Sequence, residues 1–256
     1  MKIRILGGHA VETNNTSCNS IIIDDVLAVD AGALTSKLSI KEQQNLKAVL
    51  ITHQHYDHIR DIPLLGMNFN LLEKTIELYT TKHVYDTLAK QLFNDVLYPD
   101  FTKRPPEKPA LHFNILEPGK IVQIIGYSVL PIKVKHAVPT VGYQITSSDG
   151  KKVFITSDTG PGLEDCWQQV SPNLLVIETT LLNRDKDFAL ESGHLTPALL
   201  QKELESFRKI KGYLPQVILV HMSPFLEKEI KKEISIVEKT LKTKITLGRE
   251  GMKISI

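Results

Sequence analysis

The chain reads as an α/β protein, with two β-rich layers covered by helices, and three observations lead there. Short apolar runs and longer segments of helical spacing follow one another through the first half, and the same grammar returns in the second. Five polar groups stand where an apolar, strand-like run ends: His53 after 49–52, His136 after 132–135, Asp158 after 153–157, Glu178 after 174–177 and His221 after 217–220. Open α/β architectures gather their sites at the carboxyl ends of strands. Finally, 256 residues at 42% hydrophobic and 23% charged can bury a large core and do not suit long disorder. No linker divides the chain, so 1–256 is expected to fold as one domain.

The elements follow in order. Residues 2–6, 19–24 and 26–31 read as strands, and 48–52 is a short apolar strand. Segments 59–72 and 82–97 have helical spacing, with a strand at 76–80 between them. Residues 98–110 hold four prolines and are expected to form a loop or lid, because proline cannot continue a helix. In the second half, strands are expected at 120–136, 141–147, 151–157, 173–178, 216–221, 244–247 and 252–256. Helices fit 163–170, 197–211 and 226–242; Pro197 takes the favoured first turn of its helix. Gly150, after Asp149, suits a hairpin turn.

Bulk properties exclude several classes. A formal charge of +2 is nearly neutral, and the Lys-rich stretch 228–244 alternates with Glu as a solvated helix face does, so no nucleic-acid footprint stands out. Cys18 and Cys166 are isolated thiols and fit a reduced, cytoplasmic protein better than a secreted one. The first eight residues lack the apolar stretch of a signal peptide. No run reaches membrane-spanning length, since Asp24, Asp25 and Asp30 interrupt the most apolar early segment.

Chemistry concentrates in the run Thr52-His53-Gln54-His55-Tyr56-Asp57-His58. Residues two apart in an extended segment point the same way, so His53 and His55 can bind one ion together. Asp57 and His58 lie beyond them and can address a second. Two nearby ions need a bridging anion, and Asp158 is placed to be that bridge. Imidazoles with carboxylates suit zinc, and also accommodate manganese or iron. Taken alone, His136 is equally well read as a buried core histidine.

This run resembles the signature of the metallo-β-lactamase superfamily, and His136, Asp158 and His221 follow in that family's ligand order. The resemblance spans essentially the whole chain, from Leu6-Gly7-Gly8 through Asp30-Ala31-Gly32 to the closing strands. It implies an αββα four-layer sandwich carrying two divalent metal ions. One ion would sit on His53, His55 and His136 and the other on Asp57, His58 and His221, with Asp158 bridging. Within the superfamily, Glu191-Ser192-Gly193-His194-Leu195-Thr196, Ile177-Glu178-Thr179-Thr180 and His221-Met222-Ser223 are similar to the phosphodiesterase branch. That branch includes tRNA 3′-processing endonucleases and class II cyclic-nucleotide phosphodiesterases. Gly7-Gly8, Glu12, Asn15-Thr16-Ser17 and Tyr98-Pro99-Asp100-Phe101 lean towards the cyclic-nucleotide enzymes. The tRNA enzymes carry a long Gly/Pro-rich arm not seen here, and Ile177 stands where their His-Glu-Ala-Thr motif begins.

The resemblance implies a phosphodiesterase in which a metal-bridging hydroxide attacks phosphorus, most readily in a 3′,5′-cyclic nucleotide. Asp57 would orient or deprotonate the water. His194 would donate to phosphate or leaving group, with Glu178 fixing its tautomer. The alternatives within the fold are an RNA 3′-processing nuclease and a thioester, lactone or lactam hydrolase. A non-enzymatic sensor fits less well, because all seven expected ligand positions are filled. A small nucleotide substrate is expected, RNA is the second choice, no membrane is involved, and a homodimer is implied by resemblance alone. Tyr98, Phe101 and Phe225 are candidates for stacking on a base, although packing beneath a loop accounts for each as well. Asn19 and Tyr56 receive no role. Asp61 is expected to begin or cap a helical turn, and His9 to approach the site; His83 and His112 are expected at the surface or in the core.

Overall fold

The computed structural model describes residues 1–256. The first half runs β1 (Lys2–Gly7), β2 (Ser20–Ile23), β3 (Leu27–Val29), α1 (Leu34–Lys37), α2 (Ile40–Asn45), β4 (Ala48–Leu50), α3 (Tyr56–Ile59), α4 (Ile62–Leu71), β5 (Ile76–Thr81), α5 (Lys82–Gln91) and β6 (Leu111–Leu116). The second runs β7 (Val122–Ile124), β8 (Tyr127–Lys133), β9 (Val141–Thr146), β10 (Lys152–Ile155), α6 (Glu164–Gln169), β11 (Leu174–Glu178), α7 (Lys186–Ser192), α8 (Pro197–Lys211), β12 (Gln216–Val220), α9 (Glu227–Leu241), β13 (Ile245–Leu247) and β14 (Lys253–Ser255).

Two seven-stranded sheets result, ordered β14-β1-β2-β3-β4-β5-β6 and β13-β12-β11-β10-β9-β8-β7. Strands β3 to β6 pair in parallel, as do β10 to β13, and the remaining pairs are antiparallel. The period-2 alternation of strands divides each apolar run between two cores. In β11, Leu174 and Val176 face the other sheet, while Leu175 and Ile177 face the outer helices. In β4, Ala48 and Leu50 meet the same inter-sheet core, and Val49 meets the helices. On the outer face of the second sheet, Trp167, Leu200, Phe207 and Ile234 bring α6, α8 and α9 down; on the first, Leu65, Phe69, Val84 and Leu88 bring α4 and α5. This is the expected αββα sandwich.

The departures from expectation have local causes. Segment 120–136 is a hairpin rather than one strand, because Ile125 and Gly126 both take positive φ (44° and 88°), as a type I′ turn requires. Segment 59–72 breaks at Asp61, whose N–H goes to Ala31 O at 2.8 Å, and Pro63 then opens α4. Asp61 does precede that helix, but its side chain accepts from Thr35 N (2.7 Å) in α1 and does not cap α4. The helix from 82 ends at Gln91, beyond which Asp95 turns through positive φ. Strand β6 and helices α1, α2 and α7 were not foreseen, although Ser39 and Glu42 form a full capping box on α2. No helix is long and apolar enough to cross a membrane.

Candidate metal centre

His53 leaves β4, His136 follows β8, Asp158 follows β10, Glu178 closes β11 and His221 follows β12. All five therefore emerge at one edge between the sheets, and α3 turns Asp57 and His58 back toward them. Besides a group of Glu178, His194 and His221, two larger groups of candidate ligand atoms result, each with its members within 4.8 Å of one another: His53, His55, His136 and Asp158, and Asp57, His58, Asp158 and His221. Asp158 belongs to both of the larger groups. Its Oδ2 lies 3.7 Å from His53 Nε2, 3.8 Å from His136 Nε2 and 3.4 Å from His221 Nε2, and its Oδ1 lies 3.3 Å from His58 Nε2. His55 Nδ1 is 3.2 Å from His136 Nε2, and Asp57 Oδ2 is 3.1 Å from His221 Nε2.

The residues fit a metal. His53 Nε2, His58 Nε2 and Asp158 Oδ1 are buried without a hydrogen-bond partner, a costly arrangement unless something positive accepts their lone pairs. Ligand bonds of about 2.0–2.1 Å place the corners of a tetrahedron roughly 3.4 Å apart, close to the separations above.

A ring of outer hydrogen bonds aims the imidazoles. His53 Nδ1 donates to Thr52 Oγ1 (3.0 Å), His58 Nδ1 to Asp30 Oδ2 (2.7 Å), His136 Nδ1 to Gly193 O (2.9 Å) and His221 Nδ1 to Thr180 Oγ1 (2.9 Å). Each bond fixes the tautomer that leaves Nε2 free toward the centre. Thr52 is itself held, donating to Asp30 Oδ1 (2.9 Å) and accepting from Ser157 Oγ (2.7 Å). Asp30, Ser157 and His221 stand at positive φ of 60°, 60° and 58°, a conformation that costs a non-glycine residue energy and often marks functional sites. Asp30, Thr52, Ser157, Thr180 and Gly193 were assigned no role from sequence; only the position of Asp30 at the end of its strand could have signalled one.

The imidazoles differ in charge: in the absence of metal, a proton on His58 stands in for a bound cation. Burial, reinforced by neighbouring imidazoles, lowers the pKa of His53 well below the ordinary value, and lowers those of His55 and His136. These three are therefore held neutral, the form that donates a lone pair. For His58, burial is outweighed by Asp158 and Asp30, and its pKa is raised well above the ordinary value. Asp158 is held ionised: burial opposes its charge, but His221 and His58 lower its pKa strongly.

His194 lies beside these groups. Its ring is 5.5 Å from that of His221 at 15° and 5.0 Å from that of His136. Its Nδ1 donates to Glu178 Oε1 at 2.6 Å. Burial disfavours the imidazolium, yet the Glu178 carboxylate outweighs it and raises the His194 pKa to about 9. Glu178 is fully buried and also accepts from Thr159 N (2.9 Å), Thr180 Oγ1 (2.8 Å) and Leu195 N (3.2 Å).

A beta-lactamase superfamily domain model matches residues 19–222. The chain belongs to that superfamily. The crystal structure of unliganded yeast PDE1 superposes at a TM-score of 0.86 with 19% identity, covering 100% of this chain and 99% of that one. The chain is 27% identical over 207 residues to 3′,5′-cyclic-nucleotide phosphodiesterase 1 of Saccharomyces cerevisiae, covering 70% of this chain and 55% of that protein. It is 25% identical over 246 residues to ribonuclease Z of Prochlorococcus marinus, covering 73% and 74%. The chain thus spans about half of the length of the first of these curated relatives. The superfamily fold implies divalent metal ions.

The other polar and aromatic candidates take no ligand position. His9 belongs to no ligand group, its ring lying 2.7 Å from Glu250 and 3.6 Å from Glu227, although its backbone runs beside the site, bridging to Met222 next to His221. His112 is exposed and pairs with Glu77 (2.8 Å), while His83 reaches only Gln54 (3.5 Å). Phe101 is a core residue, so it cannot stack on a ligand, and Tyr98 rests against it with ring centroids 6.0 Å apart. Phe225 is 79% exposed.

Proposed function

We propose that the protein is a binuclear metal-dependent phosphodiesterase acting on a small nucleotide, with a 3′,5′-cyclic nucleotide as the favoured substrate. One zinc-like ion is assigned to His53, His55 and His136, a second to Asp57, His58 and His221, and Asp158 is shared. Divalent ions bound there supply Lewis acidity toward the phosphate oxygens and lower the pKa of water.

The observation that carries the reading is the His194–Glu178 pair beside the candidate ligands. A proton donor within reach of a site for an anionic ester is what expulsion of an alkoxide requires. His194 holds its Nδ1 proton against Glu178 Oε1, so Nε2 is the atom left to protonate the departing ribose oxygen. The four hydrogen bonds accepted by Glu178 keep the ring in one orientation. Asp57, about a third exposed at the side chain, stands at the open side of the centre and orients the attacking water. Similarity to a cyclic-nucleotide phosphodiesterase over 70% of the chain supports the substrate class. Two free cysteines, both buried, suit a reducing cytoplasmic setting.

The test is turnover of cAMP, cGMP and bis(p-nitrophenyl) phosphate by protein loaded with zinc or manganese. Hydrolysis of a cyclic nucleotide supports the proposal. Cleavage of the artificial diester alone keeps the chemistry and moves the substrate to RNA, the reading favoured by similarity to ribonuclease Z. Silence on all three with metal bound refutes it and points to thioesters and lactones.

A further inference from the structure

An open groove of about 660 Å³, within the range of small-molecule binding sites, borders α3. Its walls include Thr35 and Ser36 on α1, Tyr56 on α3, Leu64 and Asn68 on α4, and Leu97 and Tyr98 on the loop after α5. Tyr56 opens α3, so this one short helix carries both a wall of the groove and the candidate ligands Asp57 and His58.

The exposure of these walls is unusual. Tyr56 is 67% exposed, Leu97 77% and Leu64 49%, a contiguous set of large apolar side chains facing water. The loop that presents Leu97 is tied down: Asp95 Oδ1 accepts from Asp100 N (2.8 Å) and Arg104 (3.1 Å), and Asn94 Oδ1 accepts from Val96 N (3.1 Å). Bonds of this kind hold the apolar tip outward instead of letting it fold into the core.

The groove also carries no free positive charge. Arg60 on its wall is ion-paired with Glu12 and with Asp61 (3.1 Å). A phosphate therefore gains nothing there, whereas an uncharged, flat, apolar group does. Polar selectivity remains at the edge: Asn68 spends its Nδ2 on Gln43 Oε1 (2.7 Å) and has no protein donor to its side-chain oxygen. That oxygen is an acceptor suited to the exocyclic amine of a base.

We propose that this groove takes the nucleobase of the substrate, stacked on Tyr56 and covered by Leu97, with Asn68 reading its edge. The proposal rests on the phosphodiesterase reading of the metal centre for the position of the phosphate. Base–aromatic stacking is worth roughly 5- to 150-fold in affinity.

Binding of the uncharged nucleosides adenosine and guanosine to the full chain, followed by ligand-observed NMR, tests the groove without any turnover. The expected result is binding that weakens about tenfold or more in Tyr56→Ala and Leu97→Ser and is retained in Tyr56→Phe. Steady-state kinetics form the second readout. The preference for a 3′,5′-cyclic nucleotide over ribose 3,5-cyclic phosphate, which lacks the base, should fall about tenfold in Tyr56→Ala, through KM rather than kcat. If no phosphodiester is turned over but nucleosides bind in a Tyr56-dependent way, the groove stands and the catalytic reading fails. If cyclic nucleotides are hydrolysed with the same base preference in wild type and Tyr56→Ala, the catalytic reading stands and the groove is refuted. Burial of Tyr56 and Leu97 between two copies of the chain in solution, seen as a dimer dissociated by Leu97→Asp, would also overturn the proposal.

Discussion

Gly193→Ala separates the geometry of the candidate metal centre from the stability of the fold. Gly193 ends α7 at φ 72° and ψ 46°, and its carbonyl receives the Nδ1 proton of His136. Alanine in that left-handed conformation costs about 1–2 kcal/mol. The added Cβ would also lie 2.8 Å from His136 Cα and 2.8 Å from Ala137 N, both backbone atoms that cannot rotate aside. Restoring an ordinary contact of 3.4 Å demands a shift of roughly 0.6 Å, against a tolerance of about 0.2 Å in ligand bond length. The expected outcome is a loss of metal affinity of about 10–100-fold, the usual cost of disturbing a ligand's supporting hydrogen bond. Competition with a chromophoric chelator measures it. Gly212→Ala is the control: φ is 79° there, but nothing lies within 4 Å of the new Cβ, so stability falls by a similar conformational amount and metal affinity does not. Wild-type metal affinity in Gly193→Ala, or an equal loss in Gly212→Ala, would refute the reasoning.

Other outcomes follow from the same contacts. Asp158→Ala removes the carboxylate common to both ligand groups and should lower bound metal by at least one ion per chain by elemental analysis; unchanged metal content would reject the shared role. Glu178→Gln should lower kcat by about 10²-fold with metal content retained, since His194 loses its orienting anion; a rate within twofold of wild type would reject His194 as proton donor. Glu203 accepts from Gly162 N (2.7 Å), Leu163 N (3.3 Å) and Trp167 Nε1 (3.0 Å), so Glu203→Ala orphans three donors and should cost about 2–4 kcal/mol in urea unfolding. Glu42 has its pKa lowered to about 2 by its hydrogen bonds to Arg4 and Ser39. Its folded pKa lies below the unfolded one, so its contribution is present above pH 4.5 and is lost as pH falls toward 2. Because the side chain is 40% exposed, solvent screening limits that contribution to about 1 kcal/mol at most. Glu42→Gln should therefore be less stable than wild type at pH 6, and the gap should close by pH 2 on thermal unfolding; a gap independent of pH would reject the assignment.

The spacing of apolar residues anticipated most strands and the long helices α8 and α9, because period-2 and period-3.6 burial is written locally. It failed where the backbone rather than the pattern decides, as at Ile125-Gly126, where positive φ folds one apparent strand into a hairpin. It failed again at α1 and α7, of four and seven residues, which are too short to show a period. Phe101 and Tyr56 illustrate the same limit in side chains. Both are aromatic and near interesting motifs, yet one is core and the other two-thirds exposed, and nothing in their neighbours along the chain distinguishes them.

By itself the sequence determined the chemistry available at the sheet edge: which residues could bind metal, and that they would arrive together at strand ends. His53 to His58 are close in the chain, and a strand carries its terminal residue to a defined edge, so these facts need only local rules. The tertiary structure alone decided what holds those groups in place. Ser157 donates to Thr52 across 105 residues, Gly193 accepts from His136 across 57, and Thr180 accepts from His221 across 41. Such bonds depend on how strands distant in sequence are ordered in each sheet and how the two sheets are stacked, which only burial of the shared core between them fixes.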